Sequence, residues 1–309
     1  MRINFSLQQM TAFVKVAETA SFTEAAKLLS ISQPALSRTI RLMEDAIGSR
    51  LFDRDTRNVV LTPAGAELLP IAMRMALEFD SAFGELAQFF AGRRGRVTVA
   101  ALPSAAAVLL PRAIVRFQAT YPGVEVVIRD DLAHAVAASV ADGIADLGLT
   151  VRPAEPGALS YRPLVSDDFV AVCRADDPFA EVPAVGWRDF AERPFIAMAQ
   201  TSSVRAMTNA AFLQVGLSPK PLYECSHLAT TVSLVAAGLG VTALPNLTLP
   251  LVNAAGLITR SLTDPTMRRS IGVLTRGGRS LSPAAQNFMN LLSDGNFRLG
   301  VSAEAGSVR

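Results

Sequence analysis

Six side chains between positions 32 and 41 have the types and spacing needed to read DNA. Gln33 and Arg38 carry the amide and guanidinium groups that make paired hydrogen bonds to adenine and guanine edges. Ser37 adds a hydroxyl for a base or a phosphate. The full set is Ser32, Gln33, Pro34, Ser37, Arg38 and Arg41. On one face of a helix, these residues would suit the major groove of DNA.

Two short helices joined by a tight turn are predicted to position this set. Thr23 is the predicted N-cap of the first helix, and Glu24 lies in its first turn, where the helix dipole favours a carboxylate. The first helix must end near positions 30–31, because Ser32 caps the second and Pro34 fits its first turn. The inward residues of the second helix are Leu36, Ile40, Met43 and Ile47. Taken alone, the pattern also fits an ordinary helical pair with a solvated face.

A small basic hairpin is predicted directly after the second helix. Gly48 suits the end of that helix, and two short apolar segments between Leu51 and Thr62 flank a charged turn. Arg54 and Arg57 in this turn are either solvated or reach phosphates and the neighbouring minor groove. A helix-turn-helix followed by such a hairpin indicates a winged helix.

Residues 1–65 resemble the DNA-binding head of LysR-type transcriptional regulators. Met43 and Ile47 stand where the family usually has Leu, and both are volume-conserving changes. The resemblance implies a DNA-binding protein that acts on double-stranded promoter sites with dyad symmetry, with RNA polymerase as a further candidate partner. The matching residues are Phe13 through Ala17, Ser21, Phe22, Thr23, Ala25, Ala26, Leu29, Ser32 through Arg38, Ile40, Glu44, Gly48, Leu51 through Arg54, and Leu61 through Gly65.

A long helix is predicted from Pro63 to about Phe90, capped by Thr62. Its apolar residues repeat every three or four positions over many turns, a stripe that one small head cannot bury. Pairing with a second copy is the natural solution, and the family's linker helix dimerises in this way. Pro70 is a departure expected to kink or tilt the helix. A dimer of dimers is expected from the resemblance alone, so the predicted assembly is a homodimer or homotetramer.

From Val97 the pattern changes to alternating strands and helices, which predicts a parallel α/β sheet. This part resembles the family's effector-binding domain, which is like a periplasmic binding protein with two lobes and a cleft. Crossovers between the lobes are expected near residues 165–168 and 262–266. The matching residues are Pro111, Phe117, Tyr121, Pro122, Asp146 through Gly148, Val235 through Val241, Leu244 and Pro245.

The predicted fold class is therefore multidomain α and α/β, with an N-terminal winged helix-turn-helix, a long linker helix and a C-terminal two-lobed α/β domain like a periplasmic binding protein. The expected divisions are a winged helix-turn-helix at 1–62, a dimerising helix at 63–92, a hinge at 93–96, an effector-binding domain at 97–300 and a tail at 301–309. Within the effector-binding domain, lobe I is assigned to 97–165 and 267–300, and lobe II to 166–266.

A ligand site is predicted beyond the carboxyl ends of the strands, where open α/β sheets bind ligands. The run from Gln200 to Ser203 at a helix N-terminus suits an anion, although simple helix capping explains the same residues. Ser104 and Thr201 correspond to positions that the family uses for effectors. The expected ligand is a small polar or anionic metabolite, most simply an organic acid. The candidate residues are Ser104, Arg152, Phe169, Thr201, Ser202, Ser203, Arg205, His227 and Leu244.

Composition limits the alternatives. The 309 residues suit two or three domains, and a net charge of only +2 excludes a histone-like binder, although arginines are concentrated around positions 38–57. The first residues lack a signal pattern and no apolar run is long enough to span a membrane, so a soluble cytoplasmic protein is expected. Cys173 and Cys225 are expected to be reduced and buried, with a redox pair as the alternative, and the two histidines have no metal-ligand spacing.

An enzyme on an α/β scaffold is the competing hypothesis. It would need a nucleophile with a base, a metal set or a cofactor loop. The sequence has no GxSxG, no P-loop lysine and no GxGxxG after a strand. Gly238 and Gly240 lie at a helix end, which is the wrong context for a dinucleotide. We therefore expect no enzymatic activity, no cofactor and no metal.

Overall fold

The computed structural model describes residues 5–54 and 59–294. The chain divides into two compact units, Met1–Gln88 and Phe89–Arg309. None of the helices in the described ranges is long and apolar enough to cross a membrane.

The first unit is a winged helix-turn-helix followed by a long helix, as predicted. Its elements are α1 (Leu7–Thr19), α2 (Phe22–Leu28), α3 (Gln33–Ile47), the antiparallel strands β1 (Phe52–Arg54) and β2 (Val59–Leu61), and α4 (Pro63–Phe90). The expected caps at Ser32, Gly48 and Thr62 are confirmed: Ser32 accepts from the Ala35 N–H, Gly48 ends α3 with φ +76°, and Thr62 Oγ1 accepts from the Gly65 N–H at 3.0 Å.

The predicted N-cap of α2 was wrong by two residues. Ser21 is extended and its hydroxyl accepts from the Glu24 N–H, so the helix begins at Phe22 rather than after Thr23. The packing of Phe22 explains the earlier start. The Phe22 ring lies edge-on to the Phe52 ring, with 5.8 Å between their centroids. The Phe13 ring also packs against Phe52, at a centroid distance of 5.3 Å. An earlier start brings Phe22 into the core between the helices and the wing.

Lobe I of the second unit is built on a mixed sheet. In this sheet β3 (Gly95–Ala101) runs parallel to β4 (Val124–Asp130) and β5 (Leu147–Val151), and β12 (Arg268–Arg276) is antiparallel to β5. Strand β3 begins at Gly95, which pairs with Val124, so the predicted hinge was too long at its carboxyl end. The elements are β3 (Gly95–Ala101), α5 (Pro103–Thr120), β4 (Val124–Asp130), α6 (Ala133–Ala141), β5 (Leu147–Val151), β12 (Arg268–Arg276) and α10 (Pro283–Ser293).

Lobe II is entered through β6 (Leu159–Cys173), a 15-residue strand that crosses from one lobe to the other. Its first part pairs with β12 and its last part with β10 (Thr242–Pro245) and β11 (Ile258–Thr263), always antiparallel. The prediction of a parallel sheet was therefore wrong for these strands, because the chain enters and leaves lobe II through adjacent strands of opposite direction. The other elements are β7 (Ala184–Gly186), β8 (Ile196–Met198), α7 (Ser203–Gln214), β9 (Tyr223–Cys225), α8 (Leu228–Ala236), β10 (Thr242–Pro245), α9 (Leu249–Ala254) and β11 (Ile258–Thr263).

Each lobe has its own apolar core. Trp187, Phe190 and Phe212 pack together in lobe II, while Phe117 and Phe288 meet in lobe I. The lobes also share one residue. Leu247 follows β10 of lobe II, yet its side chain is buried in the lobe I core. The crossovers near 165–168 and 262–266 are confirmed by the course of β6 and by the turn between β11 and β12.

Candidate DNA-binding surface and effector cleft

One face of α3 presents the predicted DNA-reading residues. Leu36, Ile40 and Met43 are fully buried on the opposite face and fix the helix against the core of the head. Of the six candidates, Ser37 is half-buried and the rest are exposed. The structure gathers five of them around one open surface hollow, together with Leu42 and Asp45. They are Gln33, Pro34, Ser37, Arg38 and Arg41.

Short hydrogen bonds order the start of this helix. Ser32 Oγ accepts from the Ala35 N–H at 3.3 Å, and Gln33 Nε2 donates to Ser37 Oγ at 3.1 Å, one helical turn further on. Gln33 and Ser37 therefore act as one preorganised polar pair, while the Arg38 guanidinium remains exposed beside them. Such an arrangement reduces the side-chain entropy lost on binding a base edge.

Glu44 joins the wing to α3. Its Oε1 accepts from the backbone N–H groups of Leu51 at 2.9 Å and Phe52 at 3.4 Å, at the start of β1. The sequence marked Glu44 only as a matching residue, because a contact across a turn leaves no periodic signal. Arg54 ends β1, whereas the predicted contact residue Arg57 lies outside the described residues.

At the crossover between the lobes, Ser104 belongs to a buried polar network. Arg269 donates from Nε to Asp167 Oδ2 at 2.8 Å and from Nη2 to Ser104 Oγ at 2.8 Å. The other carboxylate oxygen of Asp167 accepts from the Leu247 N–H at 2.9 Å. Since β6 carries Asp167, β12 carries Arg269 and α5 carries Ser104, this network ties both crossover strands to the helix that follows β3.

Burial perturbs both charges of the network. Desolvation raises the pKa of Asp167, although Arg269 and the Leu247 N–H oppose this shift. Desolvation also lowers the pKa of Arg269, against the attraction of Asp167. The side chains are only 1% and 3% exposed, so each needs the other to remain charged. Sequence reasoning missed both residues, which are separated by 102 positions.

The run from Thr201 to Ser203 lies at the N-terminus of α7, as expected. Ser202 is its N-cap, with Oγ accepting from the Val204 N–H at 3.2 Å, and Thr201 just before it is exposed. Arg205 has a different position from the one expected of a ligand-binding residue. Its guanidinium is buried and donates to Met198 O, Asn209 Oδ1 and Glu224 Oε1.

The remaining candidates divide into exposed and buried residues. Arg152 follows β5 and is exposed, with its guanidinium carbon 6.0 Å from the centre of the Tyr161 ring. His227 is exposed before α8, and its side chain makes no capping bond. Phe169 and Leu244 are 2% and 0% exposed in the lobe II core, so neither presents surface to a ligand in this conformation.

Both cysteines are free and buried. Desolvation raises the pKa of Cys173 to about 11, so its thiolate is scarce at neutral pH. Within the described ranges, the His, Cys, Asp and Glu side chains form no group of three or more that would hold a metal ion.

Helix α4 exposes a long apolar face. Phe79 and Phe83 are 40% and 54% exposed, and their rings contact each other at 4.3 Å, one turn apart. Leu86 and Phe90 continue this face and are also exposed. A continuous row of exposed apolar side chains is typical of an interaction surface.

Two family models cover the chain. Residues 7–66 match the bacterial regulatory helix-turn-helix protein model of the lysR family, and residues 90–296 match the LysR substrate binding domain. The chain belongs to the LysR family. It is a DNA-binding transcriptional regulator with an effector-binding domain.

Known proteins resemble this LysR regulator over nearly its whole length. It is 38% identical to the uncharacterized HTH-type transcriptional regulator YbhD of Escherichia coli, over 93% of this chain and 90% of YbhD. The oxidized form of OxyR from Corynebacterium glutamicum is 30% identical with a TM-score of 0.66, covering 95% and 92% of the two chains. CbnR in complex with its target DNA has a TM-score of 0.74 at 19% identity, covering 93% and 98%, and shows the shared fold.

Proposed function

We propose that this regulator recognises promoter DNA through the exposed face of α3 and the wing, and responds to a small organic acid bound between the two lobes. The observation that supports the effector site most directly is the bond from Arg269 to Ser104 Oγ. A serine hydroxyl has one proton to donate. Because Ser104 Oγ already accepts from Arg269, that proton is available for a ligand that offers an acceptor, such as a carboxylate.

Two helix N-termini supply the remaining polar groups. Ser104 lies in the first turn of α5, and Ser202 and Ser203 open α7. Backbone N–H groups at helix N-termini favour anions. In the proposed site, Thr201 contributes its exposed hydroxyl, while Arg152 and His227 are outer contacts. Arg205, Phe169 and Leu244 support the site from within the lobe II core.

Effector binding acts on the crossover. The lobes are joined by β6 and β12, and a ligand that contacts both lobes favours one angle between them. Its influence is limited to the difference between its affinities for the two arrangements, typically about 1–3 kcal/mol. A changed angle would alter the spacing of the DNA-binding heads in an oligomer.

The apolar face of α4 is the proposed contact between two copies. The α4 helix of a second copy would pack its own apolar face against Phe79 and Phe83, so that both side chains become buried. Two heads held in this way would bind two half-sites of a promoter with dyad symmetry. This dimer would also allow a dimer of dimers and contact with RNA polymerase.

The proposed partner is chromosomal DNA, so the proposed location of the regulator is the cytoplasm. The proposed role does not include catalysis.

An organic acid is preferred to a peroxide signal for a structural reason. A cysteine mutant of Corynebacterium glutamicum OxyR, 30% identical to this chain, was solved with H2O2 bound. Cysteine oxidation needs an accessible thiolate. Cys173 and Cys225 are buried here, and the pKa of Cys173 is raised.

The proposal is tested with the full chain and the promoter region next to its own gene. DNase footprinting should reveal a protected site with dyad symmetry. A panel of small mono- and dicarboxylic acids should then be screened by thermal shift, because a ligand of the folded state raises the melting temperature. An acid that raises it should also alter the footprint. Turnover of the acid instead of reversible binding would establish the competing enzyme hypothesis.

A further inference from the structure

Lobe I contains a cavity at the edge of its sheet that lies opposite the proposed effector cleft. The carboxyl ends of β3 and β5 carry Ser104 and Arg152, whereas this cavity borders the amino end of β5. Strand β12 runs antiparallel to β5, so its carboxyl end reaches the same edge. The cavity measures about 290 Å³ and is lined by Val140, Gly143, Ala145, Asp146, Arg276, Arg279, Ser280, Leu281 and Ser282.

Two guanidinium groups converge on this cavity. The Nη1 atoms of Arg276 and Arg279 each lie 3.4 Å from the point where a Cβ on Gly143 would be. Gly143 has φ +74°, a conformation that other residues rarely adopt, so this point stays free of a side chain. Both cations therefore reach the space above one glycine.

The two guanidinium groups make no hydrogen bond or ion pair with any of the side chains that the structure describes. The one carboxylate in the lining is Asp146, and its Oδ2 accepts from the Thr98 N–H at 2.8 Å. Ser282 Oγ caps α10 by accepting from the Ala285 N–H at 3.2 Å. Two like charges held close together repel each other, and an anion between them removes that repulsion and accepts their hydrogen bonds.

We propose that this cavity is a second ligand site, for a small metabolite carrying a phosphate or dicarboxylate group. Paired arginines match planar or tetrahedral oxyanions through several parallel N–H donors. Val140 and Ala145 form a buried apolar floor, and Ser280 adds an exposed hydroxyl at the rim. The volume lies at the lower end of the range for ligand pockets, which limits the ligand to a small molecule.

Calorimetric titration of the full chain tests the site, with inorganic phosphate and succinate as two separate probes at constant ionic strength. At least one probe should bind saturably, and the probe that binds identifies the source of the anion. The double variant R276A/R279A should weaken that binding by about tenfold or more, because it removes both charge-assisted contacts. The double variant R112A/R188A is the matched control, since it removes two exposed arginines outside the lining.

The variant R276K/R279K separates a built site from general attraction. It keeps both charges but loses the guanidinium geometry, so its affinity should fall between those of the native chain and R276A/R279A. Its melting temperature without ligand shows that the lobe is folded. The proposal is overturned if neither probe binds the native chain saturably. It is also overturned if R276K/R279K, R112A/R188A and the native chain all bind the probe equally. Binding of succinate in the effector cleft would be unaffected by R276A/R279A, so a loss in this variant alone assigns the binding to the lobe I cavity.

Discussion

Arg269 and Asp167 form a buried ion pair at the crossover between the lobes, whereas the next pair along the same strands is exposed. The Arg269 Nε lies 2.8 Å from Asp167 Oδ2, with both side chains at most 3% exposed. Arg268 and Asp168 are also bonded, but their side chains are 61% and 40% exposed. The two pairs face opposite sides of β6 and β12, and only the inner one connects to Ser104 and Leu247.

Loss of the inner pair should destabilise the second unit. Arg269→Met leaves the Asp167 carboxylate buried without its partner, which typically costs about 3–5 kcal/mol. Trp187 is the single tryptophan and is buried in lobe II, so its fluorescence reports urea unfolding. Arg268→Met is the control and should change the midpoint little, because solvent screens that pair. Equal shifts for the two variants would contradict a special role of the inner pair.

Arg38→Ala should weaken DNA binding. If Arg38 reads a guanine, the loss on the specific site is about 1–3 kcal/mol and exceeds the loss on random DNA. Fluorescence anisotropy with both DNAs at one salt concentration measures the difference. Arg74→Ala, which removes an exposed arginine from α4, controls for the change of net charge. An equal loss on both DNAs would assign Arg38 to a phosphate instead.

The double change of Phe79 and Phe83 to Asp should dissociate the oligomer. It places two charges on the apolar face of α4, where a partner helix would have to desolvate them. Sedimentation velocity should show a shift towards the monomer. Ser81→Asp adds a charge on the opposite side of the same helix and should leave the assembly unchanged. A double variant that sediments as the native chain would reject α4 as the main contact.

Thr201→Val should weaken the response to effector while leaving DNA affinity without effector intact. The change keeps the volume but removes the hydroxyl from the proposed site, and the DNA-binding head is untouched. Footprints with and without the acid identified in the screen measure both quantities. Thr120→Val, at the end of α5, is the control. If the variant keeps the native effector affinity and response, Thr201 does not belong to the site. The role of the neighbouring residues would then be to cap α7.

The buried thiol of Cys173 should resist alkylation at neutral pH. Its ionisation should lower the stability of the folded protein at high pH. Its thiol pKa is raised from 9.0 to about 11 by burial, so between these values the folded state holds a proton that the unfolded state releases. Stability should therefore be full below about pH 9 and fall as the pH rises towards 11. Iodoacetamide labelling followed by mass spectrometry checks the first point, and Cys173→Ala should reduce the loss at high pH. Rapid labelling of the native protein at pH 7 would contradict the buried thiol.

Local sequence patterns determined most of the elements of this protein and most of the surface that we propose for DNA binding. Ser32, Pro34 and Gly48 mark both ends of α3, and apolar spacing separates its buried face from its exposed one. These signals act within a few residues, so they can be read without knowing the fold. The resemblance to the LysR family added the expectation of a DNA-binding transcriptional regulator, and the family models confirmed this family.

Only the tertiary structure decided how the lobes connect and where the buried polar groups lie. The antiparallel course of β6 and β12, the insertion of Leu247 into the core of lobe I and the pairing of Asp167 with Arg269 join residues that are far apart in sequence. The sequence predicted Arg205 as a ligand-binding residue, whereas in the fold its guanidinium is buried and donates to Met198 O and Glu224 Oε1. Packing of the whole chain sets the burial of each charge, and burial determines whether that charge faces a ligand or another side chain.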